Sequence, residues 1–202
     1  MRRPLFRFDL FAFLASLRLS QTSDMPHEQI KTRRLALRAL DASDAPRIAV
    51  LAGVWEVASM TGRIPYPYSS VDALHWVTEL ADGEIVYGIT LNGALIGICG
   101  YTPDGTGAAE VGYWIGQDYW GKGYATEAVR ELIGHGFRRG GIHRFTCSHF
   151  TENKGSQRVI AKLGFRLLGL SSGWCAARGM ELPTLRYERR RPLSARLKAF
   201  AS

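Results

Sequence analysis

Between Ala108 and Arg139 the sequence reads AAEVGYWIGQDYWGKGYATEAVRELIGHGFRR, and its hydrophobic period changes midway. Ala109, Val111, Tyr113 and Ile115 alternate with Glu110, Gly112 and Trp114, the period of a strand with one buried face. Ala125, Ala128, Val129, Leu132, Ile133 and Gly136 then recur at helical spacing. Gly121-Lys122-Gly123 stands at the junction. A strand that passes through a glycine turn into a long amphipathic helix, followed by another apolar strand (IHRFTCSHF), is a βαβ-like passage. It excludes all-α and all-β architectures.

The flanking sequence is consistent with a mixed α/β domain. Leu35 and Leu37 alternate in a short strand. A helix is expected from about Asp44 to Ala52, with Pro46 in its first turn and Asp41 or Ser43 as cap. A second is expected over VDALHWVTELAD, capped by Ser70 or Asp72 and stopped near Gly83. Asn92-Gly93 between two apolar runs predicts a hairpin. NKGSQRVIAKLG reads as a helix with Asn153 as N-cap and Gly164 as its stop. FRLLGLSS and MELPTLRYERR add two strands, for roughly seven strands and four helices.

The net charge of +8 raises the question of a nucleic-acid partner. Its distribution answers it: residues 1–24 carry +2, residues 186–202 carry +5, and the stretch between holds 16 basic against 15 acidic residues. The basicity is terminal, so the reading is a solvated tail with no sequence readout, and no nucleic-acid partner is expected. No apolar run approaches the ~20 residues of a membrane-spanning helix. The three cysteines, Cys99, Cys147 and Cys175, are scattered and odd in number, without metal-ligand spacing. Residues 1–24 read as an extension (disordered, targeting-like or an over-long start), 25–190 as the domain, and 191–202 as a basic tail. A cytoplasmic protein, monomeric or homodimeric, is expected.

The glycine turn itself admits two readings. The first N–H groups of a helix lack internal partners and sit at the positive end of its dipole, so bare glycines there can cradle a phosphate. The same turn can be plain structure. It is not a Walker loop, and the dinucleotide spacing fails because Thr126 stands at the third glycine.

The ordered set EVGYWIGQDYWGKGYATEAV, then N-x-x-S-x-x-V-I-x-K-L-G-F from Asn153 to Phe165, resembles the GNAT superfamily of acetyl-CoA-dependent N-acetyltransferases. The opening Arg34-Leu35-Ala36-Leu37-Arg38-Ala39-Leu40 and Asp44-Ala45 resemble its RimJ/RimL-like branch. The resemblance spans residues 32–190. It implies an α/β GNAT fold: a six- to seven-stranded, mostly antiparallel sheet, about four helices, and a splay between strands 4 and 5. It implies acetyl-CoA as co-substrate and no metal. Pantetheine would lie on the backbone of Trp114, Ile115 and Gly116. Pyrophosphate would lie on Gly121, Lys122, Gly123, Tyr124, Ala125 and Thr126. The departure from the family pattern is Trp120, where Gln or Arg is usual; it removes a polar side chain but no backbone donor.

Acyl transfer to an amine needs a neutral nucleophile, a stabilised oxyanion and a departing thiolate. A free lysine amine, with pKa about 10.4, is almost wholly protonated near neutrality. Glu110 is the candidate base, the alternative being a carboxylate paired with an arginine across the sheet. His75, His143 and His149 compete with it. The position that supplies a tyrosine acid in many relatives is Ile160 here, and the resemblance points to Ser156 instead. Asn153 either bonds the pantetheine amide or caps its helix. Tyr66, Tyr68, Trp76, Trp114 and Trp174 are candidates for an acceptor pocket, with acceptor loops at Gly62–Ser70 and Gly173–Gly179. The acceptor is a protein N-terminal amine or a small-molecule amine; the rival is a non-catalytic acyl-CoA sensor.

Overall fold

The computed structural model describes residues 28–80 and 83–192. The expected extension 1–24 and most of the expected tail 191–202 lie outside them. The described residues form one mixed sheet of eight strands, ordered β1-β2-β3-β4-β5-β6-β8-β7. These are β1 (Ile30–Lys31), β2 (Leu35–Arg38), β3 (Ile85–Leu91), β4 (Ala94–Pro103), β5 (Ala108–Ile115), β6 (Arg144–Phe150), β7 (Arg166–Cys175) and β8 (Met180–Arg190). Five α-helices accompany them: α1 (Ala45–Ala52), α2 (Trp55–Ala58), α3 (Ser70–Thr78), α4 (Tyr124–Arg138) and α5 (Lys154–Lys162). The expected counts were short by β1 and α2, at two and four residues too brief to show a period. The α3 cap is Ser69, not Ser70 or Asp72; Asp72 closes the other half of a capping box with it.

The two sheet faces carry separate cores. On one, α4 lays Val129, Leu132 and Ile133 over Leu37, Ile96 and Phe145, all essentially sealed from solvent. Each such side chain contributes about 1.5–3 kcal/mol by leaving water. On the other, α1 and α3 pack Ile48, Ala73 and Val77 against Val86, Leu95 and Ile98. The Asn92-Gly93 hairpin is present, with φ of 50° and 84°. Arg38 holds Asp44 through a two-pronged ion pair, both contacts at 2.7 Å, at the entry to α1.

Every neighbouring strand pair is antiparallel except β5–β6, which is parallel and short. Ala108, Ala109 and Glu110 pair with Arg144, Phe145 and Thr146, and the pairing ends there. Beyond Glu110, β5 continues along β4 to Ile115, while β6 continues along β8 to Phe150. The sheet splits down its middle, which is the splay expected between strands 4 and 5 of the sequence count.

Candidate active site

The open edge of β5 has a definite polarity. Ile115 lies opposite Gly97, and the Gly116 amide donates to Ile96 O at 2.9 Å. Ile115 is therefore in a wide pair, and strand alternation turns the backbone polar groups of Val111, Tyr113 and Ile115 towards the split. Those of Trp114 and Gly116 face β4. The side chain of Trp114 packs towards the α1–α3 core. At the far end of this edge, Trp120 donates its indole N–H to Ile115 O at 2.6 Å. The residue that departs from the family pattern thus caps the last carbonyl of the exposed edge.

The glycine turn delivers α4 to the same split. Gly121 and Gly123 both hold left-handed backbone, φ 74° and 81°, a region that side chains with a Cβ resist. Gly123 is the N-cap of α4, and no side chain caps that terminus. A Cβ on Gly121 would meet nothing within 4 Å, so the space over the turn is open. Lys122 turns back instead: its ammonium donates to Asp118 O at 2.9 Å and lies 5.7 Å from the Tyr119 ring centre.

A second cation sits beside the turn. Arg34 stacks on the Tyr124 ring at 4.6 Å and donates Nε to Glu127 Oε2 at 2.7 Å. Its Nη2 lies 3.6 Å from where a Gly123 Cβ would be. Glu127 also accepts from the Thr32 hydroxyl at 2.6 Å and the Arg34 amide at 2.7 Å. Burial would raise the Glu127 pKa, but these bonds outweigh it and hold the carboxyl below its ordinary range. In the sequence Arg34 showed only as part of a strand motif; its proximity to Gly123 depends on β2 crossing the start of α4.

The N-terminus of α5 closes the other wall, and it is satisfied from within. Asn153 Oδ1 accepts the Ser156 amide at 2.9 Å, and Asn153 Nδ2 reaches Met60 O at 3.4 Å. The Ser156 hydroxyl meets the Tyr113 hydroxyl at 2.7 Å. Burial pushes the Tyr113 phenol above its usual range, the Ser156 bond opposing only in part.

These parts border one cleft of about 1150 Å³, which runs from the glycine turn through the split to the other face of the sheet. That exceeds the usual volume of a small-ligand pocket and leaves room for two reactants. Glu110, Trp114, Ile115, Gly121, Gly123, Tyr124, Ala125, Thr126, Asn153 and Ser156 line it; Gly116 and Lys122 do not. Glu110 is exposed, and among the described residues no hydrogen bond or ion pair holds its carboxylate. The arginine pairing considered for it is not formed. Its charge is felt next door: burial first, then Glu110, pushes the Cys147 thiol up to about 12.

The rival bases are otherwise engaged. His149 is buried, with Nδ1 2.7 Å from Phe150 O and Nε2 3.1 Å from the Tyr187 hydroxyl. A carbonyl only accepts, so Nδ1 carries a proton and donates it to Phe150 O. His75 pairs with Glu79 at 3.1 Å on an exposed helix face. His143 is exposed and outside the cleft lining. Of the aromatics expected at an acceptor pocket, Tyr66 packs edge-on with Trp55 at 5.2 Å, and Tyr68 and Trp76 pack on the α1–α3 core.

The profile of the acetyltransferase (GNAT) domain family matches residues 34–166. The chain belongs to the GNAT acetyltransferase family. This acetyltransferase is 31% identical over 163 residues to the uncharacterized N-acetyltransferase p20 of Bacillus licheniformis, spanning 75% of the chain and 90% of that protein. It is 28% identical to the putative ribosomal N-acetyltransferase YdaF of Bacillus subtilis, over 65% of the chain and 77% of the relative. In fold it is similar to the ribosomal-protein acetyltransferase RimL solved with coenzyme A, with TM-score 0.70 and 22% identity, covering 81% of this chain and 98% of the other. The acetyltransferase is thus an N-acetyltransferase of RimJ/RimL-like type. Among the described residues no cluster of metal-ligating side chains occurs, and no helix is long and apolar enough to cross a membrane.

Proposed function

We propose that this acetyltransferase moves the acetyl group of acetyl-CoA directly to a primary amine, in a ternary complex without an acyl-enzyme. The observation that carries this reading is the split between β5 and β6, flanked by the uncapped N-terminus of α4. An extended arm carrying amides can pair with the edge of Val111 and Tyr113 as an added strand. Its pyrophosphate then reaches the bare amides of the Gly121–Thr126 turn, with Arg34 alongside. The arm would pass through the sheet and bring its thioester between Glu110 and Ser156, which line the same cleft.

Glu110 takes the amine proton, directly or through water, and the free state of its carboxylate suits that work. The amide donors of the open edge stabilise the carbonyl oxygen. The RimL and YdaF likeness supports a protein N-terminal amine as acceptor, and an α-amine is easier to use than a lysine because it is partly neutral near pH 7.7–8.0. A small-molecule amine is the alternative acceptor, and a silent acyl-CoA sensor the alternative function.

The test is transfer from acetyl-CoA to a panel of N-terminal peptides and small amines, with melting followed in parallel. Acetyl-CoA at about 100 times its Kd stabilises the fold by about 2.7 kcal/mol. Glu110→Gln is expected to lower kcat by about 100-fold and shift the pH–rate profile upward, with the coenzyme-induced stabilisation kept. An unshifted profile removes Glu110 from the mechanism, and stabilisation without transfer to any amine favours the sensor.

A further inference from the structure

Tyr113 escaped notice in the sequence because it sits on the apolar face of β5, where an aromatic reads as core. Its ring does pack there, but its hydroxyl ends 2.7 Å from Ser156 Oγ and 3.5 Å from Ser156 O. Among the described residues that hydroxyl meets no other acceptor. The Ser156 amide is already committed to Asn153.

Two directions are open to the short bond. If Ser156 donates, its proton is spent on the phenol oxygen and none is left to face the cleft that both residues line. A phenol is a stronger hydrogen-bond donor than an aliphatic hydroxyl, so Tyr113 donates, and the serine proton, with no partner among the described residues, is left to face the cleft. Burial raises the phenol above its usual range, so it keeps its proton across the working pH.

We propose that Tyr113 is a positioning residue: it donates to Ser156 Oγ and thereby aims the Ser156 proton at the coenzyme sulfur. The inference rests on the acetyl-transfer reading above. In the reaction the amine nitrogen forms a bond to the carbonyl carbon and the C–S bond breaks. The electron pair stays on sulfur, which leaves as a thiolate hydrogen-bonded by Ser156, and the nitrogen's proton passes to Glu110 or water. Ser156 gives up no proton. A donor that is itself the acceptor of a second hydrogen bond is polarised and binds an anion more strongly. The N-terminus of α5, in whose first turn Ser156 lies, adds a field of the same sign.

The test compares binding of coenzyme A with binding of its desulfo analogue between pH 6 and pH 10. The ratio isolates the sulfur and cancels other titrations. For the wild type it should rise with pH as the thiol ionises. Tyr113→Phe should cut the ratio at high pH by roughly three- to tenfold, with the affinity for the desulfo analogue kept. Ser156→Ala should cut it at least as far, and Tyr113→Phe should then add nothing. In turnover, Tyr113→Phe should lower kcat and leave KM for acetyl-CoA unchanged. A wild-type ratio in Tyr113→Phe or in Ser156→Ala would overturn the proposal, as would equal losses for Tyr113→Phe in both backgrounds. A wild type that binds neither compound would instead overturn the coenzyme reading, and this inference with it.

Discussion

Two helices point their N-termini into the same cleft, and they are finished in opposite ways. The α5 terminus is capped by its own Asn153, and its third residue holds a hydroxyl pair with Tyr113. The α4 terminus has no side-chain cap; two left-handed glycines precede it, Gly121 under open space and Gly123 beside Arg34. A glycine at the start of a helix forgoes roughly a few tenths of a kcal/mol against a side-chain cap. Free amides at the positive end of a dipole are also an anion site. Under the proposed function the difference divides the labour: α4 receives the coenzyme through its backbone, and α5 presents side chains.

Gly123→Val should break this contrast most severely. It places branched carbon in a left-handed position, over the amides, so affinity for acetyl-CoA is expected to fall more than 100-fold by calorimetry. Equal affinity would show that the bare terminus binds nothing. Arg34→Ala removes the cation beside the turn. A loss of about tenfold in affinity is expected, with a shallower salt dependence than wild type. An unchanged salt slope would confine Arg34 to its structural pair with Glu127.

Asn153→Ala tests the other terminus, and its expected effect is on stability: about 1 kcal/mol in denaturant melts, with coenzyme affinity within a few-fold of wild type. A larger loss of affinity than of stability would assign Asn153 to the coenzyme. The smallest effect concerns pH. The Glu127 pKa lies below its unfolded value, so its contribution is complete above the ordinary carboxylate range, near 4.3, and is lost as pH falls through the folded value. Glu127→Gln should flatten the acid limb of Tm against pH by under about 1 kcal/mol, since Arg34 is partly exposed. An acid limb parallel to wild type would remove Glu127 from the linkage.

Much of this was legible in the sequence because it is local. The alternation of Ala109 to Ile115 and the helical stripe from Ala128 to Gly136 follow from one residue seeing its near neighbours. So do the Asn153 cap and the Asn92-Gly93 hairpin. The glycine turn could be recognised as a possible anion seat, since left-handed backbone and absent Cβ are properties of the residue itself. Periods do not register segments shorter than a turn or two, which is why β1 and α2 were not anticipated.

What decided the site was pairing between segments far apart in the chain. Nothing near Glu110 says that β6 leaves β5 after Thr146, so the open edge and its polarity belong to the sheet alone. Arg34 comes beside Gly123 only because β2 crosses α4, and Tyr113 meets Ser156 across 43 residues. Trp120 stood out by its type as a lost polar side chain; in the fold its indole caps Ile115 O. Hydrogen bonds fall off within an ångström of their optimum. Residue types and periods therefore determined the elements and the family resemblance, while packing of those elements decided which side chains and carbonyls meet in the cleft.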